Sequence, residues 1–145
     1  MSHPAVHDLS ALGFMLGRWT GSGESDGTPI SGQLRVQPIL GGTFLEATER
    51  LYTSDGQLDH EDRVFYRYSA EDHSLRALHL QAPGWTADRY VDLSPAGDGL
   101  TWSGGPTIPR VRITRSGEIL TVAVWMPEET EPSTVLTYHR AADGP

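Results

Sequence analysis

The sequence predicts an all-β fold, an antiparallel up-and-down β-barrel of about ten strands with one short N-terminal helix. Three observations lead there. From Trp19 onward, turn-forming stretches recur every eight to twelve residues or so: SDGT, PILGG, SDGQ, SAEDHS, APG, SPAGDG, GGPT, RSGE and PEETEPS. Between them apolar and polar residues alternate, as where Leu34 and Val36 interleave with Gln33, Arg35 and Gln37, and where Leu120, Val122 and Val124 interleave with Thr121, Ala123 and Trp125. No βαβ pattern or internal repeat interrupts this meander, and closing a meander into a barrel removes its exposed edges.

The elements follow in order. Asp8 can cap a helix on which Leu9, Leu12 and Leu16 recur at helical spacing, with Gly17 as its stop. Residues 1–8 before it are expected to be flexible. The strands then succeed one another without a linker, so residues 1–145 are expected to form one domain, the usual outcome at this length.

Composition narrows the partners. Eleven basic residues, all of them Arg, against 19 acidic ones give a net charge of −8, which disfavours nucleic acid and anionic membranes, both of which reward clustered positive charge. The absence of cysteine excludes disulfides and thiolate chemistry and fits a reducing compartment. The stretch MSHPAVHDLSALGFMLG has neither a basic leader nor a long apolar core, so a cytoplasmic location is expected. A small-molecule ligand is the expected partner, and a homodimer is left open.

Gly17, Arg18 and Trp19 form a GxW at the start of the first strand, and Arg140 ends the last, VLTYHRA. This resembles the calycin pattern of lipocalins and fatty-acid-binding proteins, and the resemblance implies that the Arg140 guanidinium covers the Trp19 indole and closes one end of the barrel. The run LGRWTGSGE, the strand start GGTFLE (Gly41–Glu46), the hairpin segment YRYS and the final TYHR resemble the nitrobindin-like and DUF1579-like barrels more closely still. Nitrobindins hold heme through a histidine near the start of the last strand. The matching position here falls near Ser133, which cannot replace an axial imidazole, so no cofactor is expected, with heme the alternative and His139 or His79 its ligand.

Hairpins in which Tyr68 meets Ser74 and Leu78 meets Arg89 place Tyr66, Tyr68, Arg76, Trp85 and Arg89 on the more apolar face of three successive strands. These are the expected ligand-binding residues, two guanidinium groups being suited to a carboxylate. Alternatively the arginines reach a rim or pair with Glu46, Glu49 or Asp62. On the same register His79 and Asp88 meet as an outward-facing surface pair. A slip of one residue would bring such a pair inside, where His79, Asp88 and Tyr66 become catalytic candidates. His60 and Asp62 share a strand face but lack a third metal ligand. Trp102 and Trp125 read as packing residues. Neither a dinucleotide glycine pattern nor a GxSxG elbow is present.

Three functions remain. The first is a barrel binding a small, largely apolar ligand with an anionic or polar group; the second a cofactor-independent isomerase or cyclase using the same cavity; the third a nitrobindin-type heme protein acting on nitric oxide or peroxynitrite.

Overall fold

In the computed structural model, which describes residues 9–103 and 108–141, the chain is an all-β closed barrel of ten antiparallel strands. They are β1 (Gly17–Ser25), β2 (Thr28–Ile39), β3 (Phe44–Thr53), β4 (Leu58–Ser69), β5 (Ser74–Gln81), β6 (Trp85–Leu93), β7 (Gly99–Ser103), β8 (Arg110–Ser116), β9 (Ile119–Trp125) and β10 (Thr134–Arg140). Each strand pairs with its neighbour in sequence, and β1 pairs with β10 to close the ring. No helix among the described residues is long and apolar enough to cross a membrane. The expected Asp8 cap, the flexible stretch 1–8 and the GGPT turn lie outside the described residues.

The expected helix is instead a six-residue 3-10 turn, Ser10–Met15. Its Leu12 and Met15 are fully buried, so its role is to plug one mouth of the barrel. A short plug with two buried anchors has little use for α-helical propagation. Gly17 does not end the turn. It opens β1 with φ +123°, a conformation open to glycine, and any Cβ there would collide with the Arg140 guanidinium.

Side chains from β1, β8 and β10 fasten the plug. The Trp19 indole N–H donates to the Met15 carbonyl (3.0 Å), Arg140 donates to the Leu16 carbonyl (2.7 Å) and Arg115 to the Phe14 carbonyl (3.1 Å). Trp19 is cross-strand partner to Arg140, whose guanidinium carbon lies over the indole, 4.5 Å from the ring centroid. Arg115 approaches the same indole at 5.7 Å. The indole is thus covered by two cations and tethered to the plug. Leu45, Leu75, Leu100, Leu120 and Tyr138 are buried in the same core as the indole.

Replacing Arg140 by Ala removes the stacking and one hydrogen bond, and should lower stability by about 1–2 kcal/mol without abolishing folding. Urea denaturation followed by Trp fluorescence measures this. An unchanged midpoint would show that the contact contributes nothing to closure.

Candidate functional site

The half of the barrel away from the plug encloses a cavity of about 480 Å³. Its two walls differ because the inward positions of the strands differ. β2 and β8 to β10 contribute Leu34, Val111, Ile113, Val122 and Leu136. β3 to β6 contribute Glu49, His60, Asp62, Tyr66, His79, Gln81, Trp85 and Arg89. One wall is therefore aliphatic and the other carries nearly all the ionisable chemistry.

Arg89 organises the polar wall. It is 0% exposed, and its guanidinium lies 5.5 Å from the Trp85 ring centroid and 5.2 Å from that of Trp102. One terminal nitrogen donates to the Pro109 carbonyl and the other to His79 Nδ1 (3.3 Å), while Nε has no partner among the described residues. A guanidinium can only donate, so His79 Nδ1 accepts. That places the ring proton on Nε2, which donates to Asp62 Oδ2 (2.9 Å). His60 Nε2 contacts the other oxygen of Asp62, and the Gln81 amide lies 2.9 Å from His60 Nδ1. The result is a continuous chain from Arg89 through His79 and Asp62 to His60.

Burial pushes the Asp62 carboxyl up, but hydrogen bonds from His60 and His79 outweigh it and hold the group below the usual carboxylate range. His60 is raised by its hydrogen bond to Asp62 against the opposing effect of burial. Burial lowers Arg89, and the nearby Asp62 charge partly restores it.

Glu49 faces Asp62 across the β3–β4 pair and behaves oppositely. Removal from bulk water raises its pKa to about 7, despite the hydrogen bond donated by the Tyr138 hydroxyl (2.6 Å), with the Asp62 charge raising it further. The phenol reaches Glu49 by passing over Gly32, where a Cβ would sit 2.3 Å from the hydroxyl oxygen. Two facing carboxyls are thereby held in different protonation states, Asp62 ionised by its histidines and Glu49 near half-ionised at neutral pH.

Several expected site residues lie elsewhere. Both hairpin registers expected above are off by one. Ser69 pairs with Ser74 across a loop that His73 closes at φ +55°, and Gln81 pairs with Trp85 across a loop closed by Gly84. The two shifts cancel at β6, so β4 and β6 present the expected faces while β5 is inverted. Arg76 therefore faces outward, against Asp72, Asp88 and the Tyr90 ring. Asp88 is exposed and does not meet His79. His79 faces inward, and its carboxylate partner is Asp62.

Tyr66, Trp85 and Arg89 line the cavity, with Trp85 40% exposed at the rim. Tyr68 shares the inward face but lies below the cavity, its hydroxyl 2.9 Å from His73 Nδ1. Trp102 is buried and donates its indole N–H to the Tyr66 hydroxyl (3.1 Å), whereas Trp125 lies outside beneath Arg110 and Arg112. Glu49 was not among the expected site residues. Its signal is parity, since it stands in the inward series Leu45, Ala47, Leu51.

No protein-family model and no curated protein matches the chain. No group of three or more His, Asp or Glu with metal-binding geometry occurs among the described residues. Heme, which the nitrobindin resemblance implies, does not fit the donors among the described residues. Ser133 offers no imidazole, His139 is exposed on the outer face, His79 uses both ring nitrogens, and His60 is engaged by Asp62 and Gln81.

Two measurements follow. Hemin added to the protein should leave no Soret band that survives desalting; a stable, stoichiometric band would overturn the assignment of the imidazoles. Glu49 should also couple stability to pH. A carboxyl whose folded pKa is raised leaves its contribution intact below the unfolded value of 4.5, and loses it as the pH climbs to about 7. Relative to Glu49→Gln, the wild type should lose on the order of 3 kcal/mol across that interval. Parallel stability curves for the two proteins would show that Glu49 ionises normally.

Proposed function

We propose that the barrel binds a small, largely apolar molecule bearing an anionic or strongly hydrogen-bond-accepting group, with that group against Arg89 and the apolar body against the aliphatic wall. The observation that carries this reading is Arg89, a buried residue of the cavity lining whose Nε–H has no partner among the described residues. A charged donor left unsatisfied in an apolar interior costs about 1–3 kcal/mol or more, and a ligand oxygen removes that cost. The volume lies within the roughly 300–1,000 Å³ usual for small-molecule sites, and one polar cluster set among apolar walls is their usual composition. Trp85 stands at the rim, where it would cover a bound ligand.

The GxW and terminal arginine, together with the closed ten-strand ring, support kinship with the calycins. The finer kinship with nitrobindin-like and DUF1579-like barrels rests on GGTFLE, YRYS and TYHR and belongs to this proposal, without heme chemistry. A cytoplasmic location and a single-domain organisation are part of the same proposal.

Titration with decanoate and 2-naphthoate, followed by calorimetry, tests it. Arg89→Met should weaken both ligands by about tenfold or more, at a modest cost in stability because the Pro109 carbonyl and His79 Nδ1 lose their donor. Arg76→Met, on the outer face, should bind as the wild type does. Equal affinities of wild type and Arg89→Met would overturn the reading.

A further inference from the structure

Binding alone does not account for Glu49. A site that needed only to hold an anion would gain nothing from a carboxyl group facing the same cavity, yet Glu49 is kept there, bonded by Tyr138 on one oxygen and free on the other among the described residues. Tyr66 is incomplete in a complementary way. Its oxygen accepts from Trp102, and its own O–H has no acceptor among the described residues. Among the described residues, the lining residues Tyr66 and Arg89 therefore each hold a donor without an acceptor, and Glu49 holds one carboxylate oxygen without a donor.

We propose that the cavity catalyses proton transfer at a carbon next to a carbonyl group, with Glu49 moving the proton and Tyr66 and Arg89 holding the carbonyl oxygen, so that the protein isomerises small, largely apolar carbonyl compounds without a cofactor. The inference rests on the cavity being a ligand site, as proposed above.

The step balances within the substrate. The Glu49 carboxylate takes a proton from the carbon beside the carbonyl. The C–H electron pair becomes the new C=C bond, and the carbonyl π pair moves onto oxygen. The resulting enolate oxygen is held by the Tyr66 O–H and the Arg89 Nε–H, donors already fixed before charge develops. Glu49 then returns the proton, for a β,γ-unsaturated ketone to the far carbon, and the carbonyl re-forms in conjugation with the shifted double bond. Nothing is oxidised or reduced.

The remaining residues act through these. His79 is a positioning residue, since its Nδ1 fixes one arm of Arg89 while its Nε2 anchors Asp62. The groups acting electrostatically on Glu49 are Tyr138, Asp62 and His60, and together they set a carboxyl able both to accept and to return a proton near neutrality, where general acid–base catalysis is most effective.

The test uses two probes. The first is 3-cyclohexen-1-one, whose conversion to the conjugated enone is followed by ultraviolet absorbance. The second is 2-tetralone in D₂O, whose α-hydrogen exchange is followed by NMR. Occupancy is measured separately by quenching of Trp fluorescence. The wild type should accelerate both reactions, and Glu49→Gln should reduce the rate by about a hundredfold or more with probe affinity little changed. Tyr66→Phe should lower the rate by about tenfold or more, and Glu49→Asp should retain part of it. The rate should rise with pH through the ionisation of Glu49, and that limb should vanish in Glu49→Gln. Should Glu49→Gln fail to fold, Tyr66→Phe and the wild-type pH limb decide. Probes that bind but react no faster than in buffer, or equally fast with Glu49→Gln, would overturn the catalytic inference and leave the binding reading standing. Failure of these probes, decanoate and 2-naphthoate alike to bind would overturn both.

Discussion

The burial of Arg89 is the constraint on which the rest of the cavity depends. A guanidinium with no exposure keeps its charge while removed from bulk water, so the protein must surround it with acceptors or leave it at a cost of several kcal/mol. The barrel supplies the Pro109 carbonyl, the His79 ring and the faces of Trp85 and Trp102. None of these is an anion. The nearest compensating charge is Asp62, reached through His79, and that arrangement fixes the histidine tautomer, the carboxylate orientation and, through the carboxylate, His60. The polar wall is better understood as one hydrogen-bonded chain than as separate residues, and a change at any link should be felt at the others.

Such a chain is costly to fold, and the molecule places it where the cost can be borne. The plugged end is nearly all apolar, with Leu12, Met15, Trp19, Leu120 and Tyr138 each 1% exposed or less, and closure there is reinforced by two arginines over one indole. Strands β9 and β10 contribute to that end, through Leu120 and Tyr138, and to the aliphatic side of the cavity, through Val122 and Leu136. The ionisable groups are concentrated on β3 to β6. Stability and chemistry are thus divided between two ends of one barrel. Tyr138 links them, since its ring belongs to the plugged end and its hydroxyl reaches Glu49.

Most of the architecture was legible in the sequence, because turn chemistry and two-residue alternation are local signals that a barrel leaves undisturbed. The strand number, the meander order and the inward faces of β4 and β6 follow from them. The face of β5 did not, and the reason is arithmetic: one residue more or fewer in a hairpin loop inverts a strand. SAEDHS admits a loop of either parity, and only His73 taking a left-handed conformation selects the shorter one. The segment LRALHLQ resists correction by pattern, since both of its faces carry apolar residues. That single inversion exchanged Arg76 for His79 in the cavity. Glu49 and Asp62, named only as alternative partners for the arginines or, for Asp62, as half of a metal pair, did not stand out as cavity residues for a different reason. Alternation identifies a buried face by its apolar members, so a carboxyl on that face looks like noise until the neighbours that justify it, Tyr138 for one and His60 and His79 for the other, are brought in from distant strands.

The two carboxyls also tie ligand charge to protonation. Glu49 and Asp62 face each other across one strand pair, and each raises the energy of the other's ionised form. Asp62 is held ionised by two histidines, which leaves Glu49 as the group that yields. An anionic ligand group seated at Arg89 adds a further negative charge to the same cavity and shifts Glu49 toward its neutral acid. A neutral carbonyl compound adds none and leaves the carboxylate available. On the proposed function, the same set of residues would therefore distinguish two kinds of occupant by electrostatics alone. Carboxylates should be held against a protonated, unreactive Glu49, and carbonyl compounds should meet it as a base. On that account, tightly bound acids inhibit proton transfer through two effects at once, by filling the cavity and by keeping its base protonated.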